Sequence, residues 1–410
     1  MKYIYFTINT TSLLSLNFIV WGSVSILYAF HLSDLLGKVN GEDVYFAGLL
    51  IPLTFFIGYL SSLLMLNKTK KIKLRKNIVI NIDKLQRKTK MLSFVFFISL
   101  ILEIAYSGYI PLLSMVRGAN LSQFTFGIHG LHGMLMSFGA LLSLTWFLIF
   151  YVTKHKSALV WVFFIFLLFA LVVTRKMIIV SFLQIVILMF FLRRNNKIVL
   201  KFIIYGFLLL LVFGFIGDIR TGRELFLSLS HFNVPYPNWL PTGFGWVYIY
   251  VTTPIANFIN GISMIHTCSY DLSFLKGLLP SFIRMFFFKI DSNKFDNDWQ
   301  ISGAFNVATG FLGIYKSFGI SGVIVFNFLL GWIYNMIICS AKNLNNLITV
   351  VVFSNITILL LFTNNFFNLN TVSQIVFAYM LFGFKYRFSN AQKYFQASEF
   401  SGVSKVFDKS

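Results

Sequence analysis

Acidic residues are scarce in this chain: 13 Asp and Glu stand against 34 Lys and Arg in 410 residues, a formal net charge of +21. Charge of either sign is also thin, at 11% of the residues, which is too little to clothe a soluble globule. Cysteine is nearly missing. Cys268 and Cys339 lie far apart without metal-type spacing, so neither a zinc site nor a disulfide framework follows. Proline is limited to seven residues, and five of them fall between Pro235 and Pro280, which leaves the rest of the chain free to run as uninterrupted helix.

What is present in excess is apolar. Hydrophobic residues make up 57% of the sequence and the mean hydropathy is +0.78, values that define a polytopic membrane protein. The 51 phenylalanines read as lipid-facing and helix-packing bulk. The positive charge is concentrated rather than spread, with Lys68, Lys70, Lys71, Lys73, Arg75, Lys76, Lys84, Arg87, Lys88 and Lys90 in one hydrophilic connection. That placement is expected of a cytoplasmic topology determinant facing anionic lipid, and it argues against nucleic acid as a partner.

Windows long enough to cross a hydrocarbon core number about ten. Their approximate cores are residues 9–30, 45–66, 91–109, 133–152, 157–173, 177–192, 199–216, 320–340, 346–363 and 370–385. The first is too long for a signal-peptide core and lacks a small-x-small cleavage site, so it is read as a retained span. Short basic connections fix the orientation: residues 67–90, Lys154 with Lys156, Arg193 with Arg194 and Lys197, Lys342, and the tail from Lys385 all alternate as cytoplasmic. Both termini then face the cytoplasm. The expected organisation is seven spans in 1–216, a large external loop in 217–319, three spans in 320–386 and a cytoplasmic tail in 387–410.

Three external connections carry the chemistry, and each holds an arginine against the positive-inside bias. Residues 110–132 contain Arg117, His129 and His132 in a glycine-rich stretch that Pro111 opens. The two histidines could bind a metal if helical, but no carboxylate or cysteine accompanies them; a histidine there could instead act as a general base or simply hydrogen-bond at the interface. The turn at Thr174 brings Arg175 and Lys176 to the membrane edge, where the guanidinium needs a counter-charge. A phosphate and Glu103, the lone acid inside an expected span, are the two candidates.

The long connection opens with Asp218, Arg220, Arg223 and Glu224 just past a span end. Arginines three apart share a helix face and offer bidentate bonds to diphosphate oxygens, or an internal network with the two acids. The run with Pro235, Pro237 and Pro241 denies a span and presents Tyr236, Trp239 and Trp246, which suit either an interfacial belt or sugar stacking. Residues 244–264 turn apolar again, but Pro254, Asn257 and Asn260 interrupt them, so a re-entrant or surface-lying helix is expected rather than a crossing. Beyond it, Arg284 and Lys289 face Asp291, Asp296 and Asp298 in a nearly charge-balanced stretch.

Taken together, the late external loop, the GYIPLL element followed by Arg117 and Gly118, the span-end Thr174-Arg175-Lys176 and the Arg220/Arg223 pair resemble the Wzy-type O-antigen, or oligosaccharide repeat unit, polymerases. That resemblance implies an all-α, GT-C-like bundle in the bacterial inner membrane. It implies metal-independent glycosyl transfer without a cofactor, between two undecaprenyl diphosphate-linked glycans at the periplasmic face. By position, Arg220 and Arg223 would neutralise the leaving diphosphate, with Arg284, Arg175 and Arg117 as further contacts. His132 or Glu224 would take the acceptor proton. The segments read as cytoplasmic lack a DxD-type nucleotide-sugar signature, in agreement with a lipid-linked donor. A separate chain-length regulator is an expected partner. An O-antigen ligase, or a flippase for lipid-linked oligosaccharide, is the alternative; no internal repeat of the kind many transporters carry is visible.

Overall fold

The computed structural model describes residues 3–9, 12–37, 46–67, 75–117, 125–128, 130–192, 204, 206–208, 211, 215, 218, 222–279, 283, 299–340 and 344–382. Twelve of the eighteen residues of the expected span at 199–216 fall outside them, as do Arg220, Arg284 and His129 and the side chain of Arg175.

Helices α1 (Ser12–Ala29) and α2 (Ile51–Asn67) open the bundle, and α3 (Ile82–Ser107) follows. A short helix α4 (Pro111–Val116) then leads to α5 (Leu131–Thr153), α6 (Lys156–Leu171) and α7 (Arg175–Leu192). After the segment bearing α8 (Arg223–Ser230) and α9 (Thr242–Met264), the chain closes with α10 (Leu312–Ser340), α11 (Leu344–Leu359) and α12 (Leu369–Phe382). Among the described residues four helical stretches are long and apolar enough to cross a membrane: Gly48–Met65, Ile82–Ser107, Leu131–Thr153 and Leu312–Cys339. Five apolar helices are shorter. The protein is thus helical, with apolar helices suited to a membrane.

Two boundaries differ from the sequence reading. The expected first span began at Asn9, but residues 3–9 form a strand, β1 (Tyr3–Asn9), paired antiparallel with β2 (Arg75–Asn81) from Tyr3↔Asn81 to Asn9↔Arg75. Both strands are rich in Ile, Val, Tyr and Phe, which favour a pleated surface. The basic connection is correspondingly shorter, because Asn81 caps α3 by accepting from Lys84 N–H at 3.0 Å and the helix starts nine residues ahead of the expected core.

The core centres on α5, buried along most of its length, while Ile19, Ile26, Leu64, Ile98 and Leu102 on α1, α2 and α3 face outward. An apolar outer surface is what lipid contact requires. Rings from α3 and α6 close onto α5 at Gly139, where a Cβ would collide with Phe96 and Phe169. The pair α2 and α10 meets backbone to backbone: Gly58 lies against the Phe328 carbonyl and Gly331 against that of Phe55. Asn327 donates across this seam to the Ile51 carbonyl and to Thr54 Oγ1, and Asn335 donates to Ser62 Oγ at 3.1 Å. Small residues and polar cross-links are how helices associate where lipid removes the hydrophobic drive.

Helix α9 covers the residues 244–264. Tyr248 near its start accepts from Leu32 N–H just after α1, and the Ile262 carbonyl near its end accepts from Tyr315 in the first turn of α10. Asn257 anchors it by donating to the Phe305 and Val307 carbonyls and accepting from Ile301 N–H. The span expected at 320–340 begins at a kink, since Gly319 at φ +63 breaks the helical path of α10.

Candidate functional site

One end of the bundle gathers the last turn of α3, the first turns of α5, α7 and α12, and the end of α11. Glu103, in the last turn of α3, is 3% exposed and a bare carboxylate there would be costly. Its Oε2 is 2.7 Å from Nδ1 of His132. With the carboxylate ionised, Nδ1–H donates to it, which leaves Nε2 as the ring nitrogen able to receive a proton. Glu103 Oε1 is buried and has no partner among the described residues.

The chain just before α5 shapes this pair. Gly127 at φ +75 lets the backbone pass His132, where a Cβ would stand 3.0 Å from the histidine's own. Its N–H donates to Ser107 Oγ at 2.8 Å, tying the loop to the end of α3. Phe126, itself buried, sits edge-on to the imidazole, 5.3 Å between centroids.

One residue along, Gly133 packs directly on the side-chain amide of Asn370, and that contact leads into a narrow polar cleft. Its volume is about 20 Å³, room for about one water. Two helices start here. Thr174 opens α7, its carbonyl accepting from Met177 N–H, and Asn368 caps α12, its Oδ1 accepting from Asn370 N–H at 3.0 Å. From α7, Lys176 reaches across to donate to Asn365 Oδ1 at 2.9 Å. The inner wall is a reciprocal amide pair, Gln184 and Gln374, with bonds of 3.0 and 2.8 Å. Asn355 and Ser137, both buried, complete the lining.

The remaining expected site residues lie elsewhere. Arg223 does not stand ready as an open fork: its two terminal nitrogens donate to the Pro237 carbonyl at 3.1 Å and the Leu240 carbonyl at 3.3 Å, and the guanidinium lies over Tyr236. Asp218 accepts from Thr242 and Trp246 rather than pairing with Arg223. Glu224 and Arg117 are exposed, on the first turn of α8 and at the end of α4. The Arg175–Glu103 pairing rests on a side chain outside the described residues; the partner seen for Glu103 is His132. Arg223 braces the proline loop by about 1 kcal/mol, since the group is partly exposed. Arg223→Ala should therefore speed proteolysis within residues 235–241, and an unchanged cleavage rate would remove the bracing role.

In comparisons by sequence and by fold, no family model, no curated protein and no solved structure matches the chain.

Proposed function

We propose that the protein is an oligosaccharide repeat unit polymerase of the Wzy type, with about ten spans in a bacterial inner membrane. In this reading both termini are cytoplasmic and the end of the bundle bearing His132 is periplasmic. The observation that carries it is the partly buried His132 held by the buried Glu103 beside an amide-lined cleft, at the end where the sequence puts its external arginines.

In this mechanism Glu103 holds the imidazole so that Nε2 takes the proton of an acceptor sugar hydroxyl. The acceptor oxygen bonds to the anomeric carbon of the growing glycan, and the bond from that carbon to the lipid diphosphate breaks. The electron pair leaves on the phosphate oxygen. Cations close to that oxygen stabilise the charge that develops there, which is the role proposed for Arg117, Arg175, Arg220, Arg223 and Arg284. Arg223 would contribute with only part of its donor set, because the proline loop already occupies two nitrogens. The exposed Glu224 is the weaker alternative as base, since no group among the described residues orients it.

Deleting the gene in its host should leave surface glycan capped at a single repeat unit on the lipid core. Complete loss of surface glycan would overturn the polymerase reading and point to a ligase or a flippase.

A further inference from the structure

We propose that the groove between α3 and α6, floored by α5, binds the phosphate headgroup of an anionic phospholipid, held by Arg87, Lys90, Lys154 and Lys156 with its acyl chains on the apolar residues beneath. The inference needs the helices to lie in a membrane and stands apart from the polymerase reading. Both walls pack on α5. Buried Trp146 of α5 stacks on Trp161 of α6, 5.5 Å between centroids, and donates from Nε1 to Ser93 Oγ of α3 at 2.8 Å. Phe94 meets Trp161 edge-on and Phe97 meets Phe164, so three residues along α3 correspond to three along α6 and the two helices run parallel. One turn back from these rings, that register brings Lys90 beside Ser157, at the level of Lys154 and Lys156 in the α5–α6 turn. Arg87 stands one further turn out, on the stripe of Lys90, Phe94 and Phe97.

Positive charge near a span end orients a protein wherever it lies, but a bound lipid needs cations that converge above a place for its chains. Both are present. Across residues 82–91 and 153–157 Asp83 is the one acid, against Lys84, Arg87, Lys88, Lys90, Lys154 and Lys156. The four proposed contacts are all exposed. Below them Phe94, Ile98, Val160 and Phe163 are exposed on the two walls, and α3 is long and apolar enough to cross a membrane. A soluble anion would use the cations alone, whereas a phospholipid uses both surfaces. The backbone at Lys154 points the same way. This residue closes α5 at φ +60, its N–H donating to the Phe150 carbonyl at 2.8 Å, in the conformation for which helix ends favour glycine. A lysine is strained there, yet its ammonium is held 4.7 Å from the centroid of the Tyr151 ring, and strain of this kind persists where the side chain has a function.

The test is native mass spectrometry of the full-length protein in detergent, titrated separately with cardiolipin, phosphatidylglycerol, phosphatidylcholine and inorganic phosphate. Cardiolipin and phosphatidylglycerol should bind about tenfold or more tightly than phosphatidylcholine, and inorganic phosphate should not bind measurably. The double variant Lys90→Gln with Lys156→Gln, one change on each wall, should weaken both anionic lipids about tenfold or more. Lys276→Gln with Lys316→Gln is the control: it removes the same charge outside the groove, and lipid binding should be unchanged. Lys154→Gly should raise the thermal midpoint in phosphatidylcholine while weakening the anionic lipids, an outcome that a purely structural lysine would not give. Thermal midpoints of the other variants check that they fold. The proposal is overturned if phosphatidylcholine or inorganic phosphate binds as tightly as the anionic lipids, if the Lys90/Lys156 variant or Lys154→Gly binds them like the parent, or if the control loses as much as the groove variant.

Discussion

Replacing His132 by asparagine is expected to cut glycan extension about 10²- to 10⁴-fold, the range a positioned general base contributes. Asparagine is chosen because its amide nitrogen can occupy the place of Nδ1 and still donate to Glu103 Oε2, whereas alanine would leave a buried carboxylate with neither oxygen paired. His132→Asn should therefore keep its expression level and thermal midpoint while losing the Nε2 that receives the proton. Glu103→Gln provides the second reading. It keeps a hydrogen bond but can no longer hold the imidazolium by charge, so extension should fall less and its pH profile should move. Normal glycan ladders from His132→Asn would eliminate the base role outright.

Glu103 was legible in the sequence as the one acid inside an expected span, and His132 as one of two histidines in an external loop. Their pairing was not, because it depends on the backbone path through Gly127 and Gly130, both at positive φ, which delivers a residue 29 positions away to the carboxylate. The apolar windows located most helices, because burial and lipid exposure both reward the same composition. They could not place the start of α3, where Asn81 decides, or the ribbon of Tyr3–Asn9 with Arg75–Asn81, whose partners lie far apart in sequence. Arg223 illustrates a different gap. A guanidinium that suits a diphosphate also suits two loop carbonyls, and sequence spacing does not choose between them. The amide cleft was missed altogether, since Asn and Gln in apolar helices add no charge signal. The density of Asn364, Asn365, Asn368 and Asn370 beside Gln374 was the available clue.

The seam between α2 and α10 should prove the most sensitive place in the fold. A side chain at Gly331 would run into the Phe55 carbonyl and, at 3.0 Å, the Tyr59 amide nitrogen; at Gly58 it would strike the carbonyl of Phe328. These obstacles are backbone atoms in regular helix, so no rotamer change can relieve them and the helices must move apart. Separation would also stretch the bonds from Asn327 to Ile51 and Thr54 and from Asn335 to Ser62, each of which in a membrane is worth about 1 kcal/mol. Gly331→Leu is accordingly expected to destabilise the bundle by about 3 kcal/mol or more, at the upper end for an overpacked core. Gly22→Leu supplies the comparison, since that glycine also lies within a helix but has nothing within 4 Å of where its Cβ would be. Titrating the purified proteins with SDS in mixed micelles should unfold Gly331→Leu at a clearly lower detergent fraction than the parent, with Gly22→Leu close to it. Coincident transitions for Gly331→Leu and the parent would mean that the helices do not meet at this glycine, and the packing described for α2 and α10 would have to be abandoned.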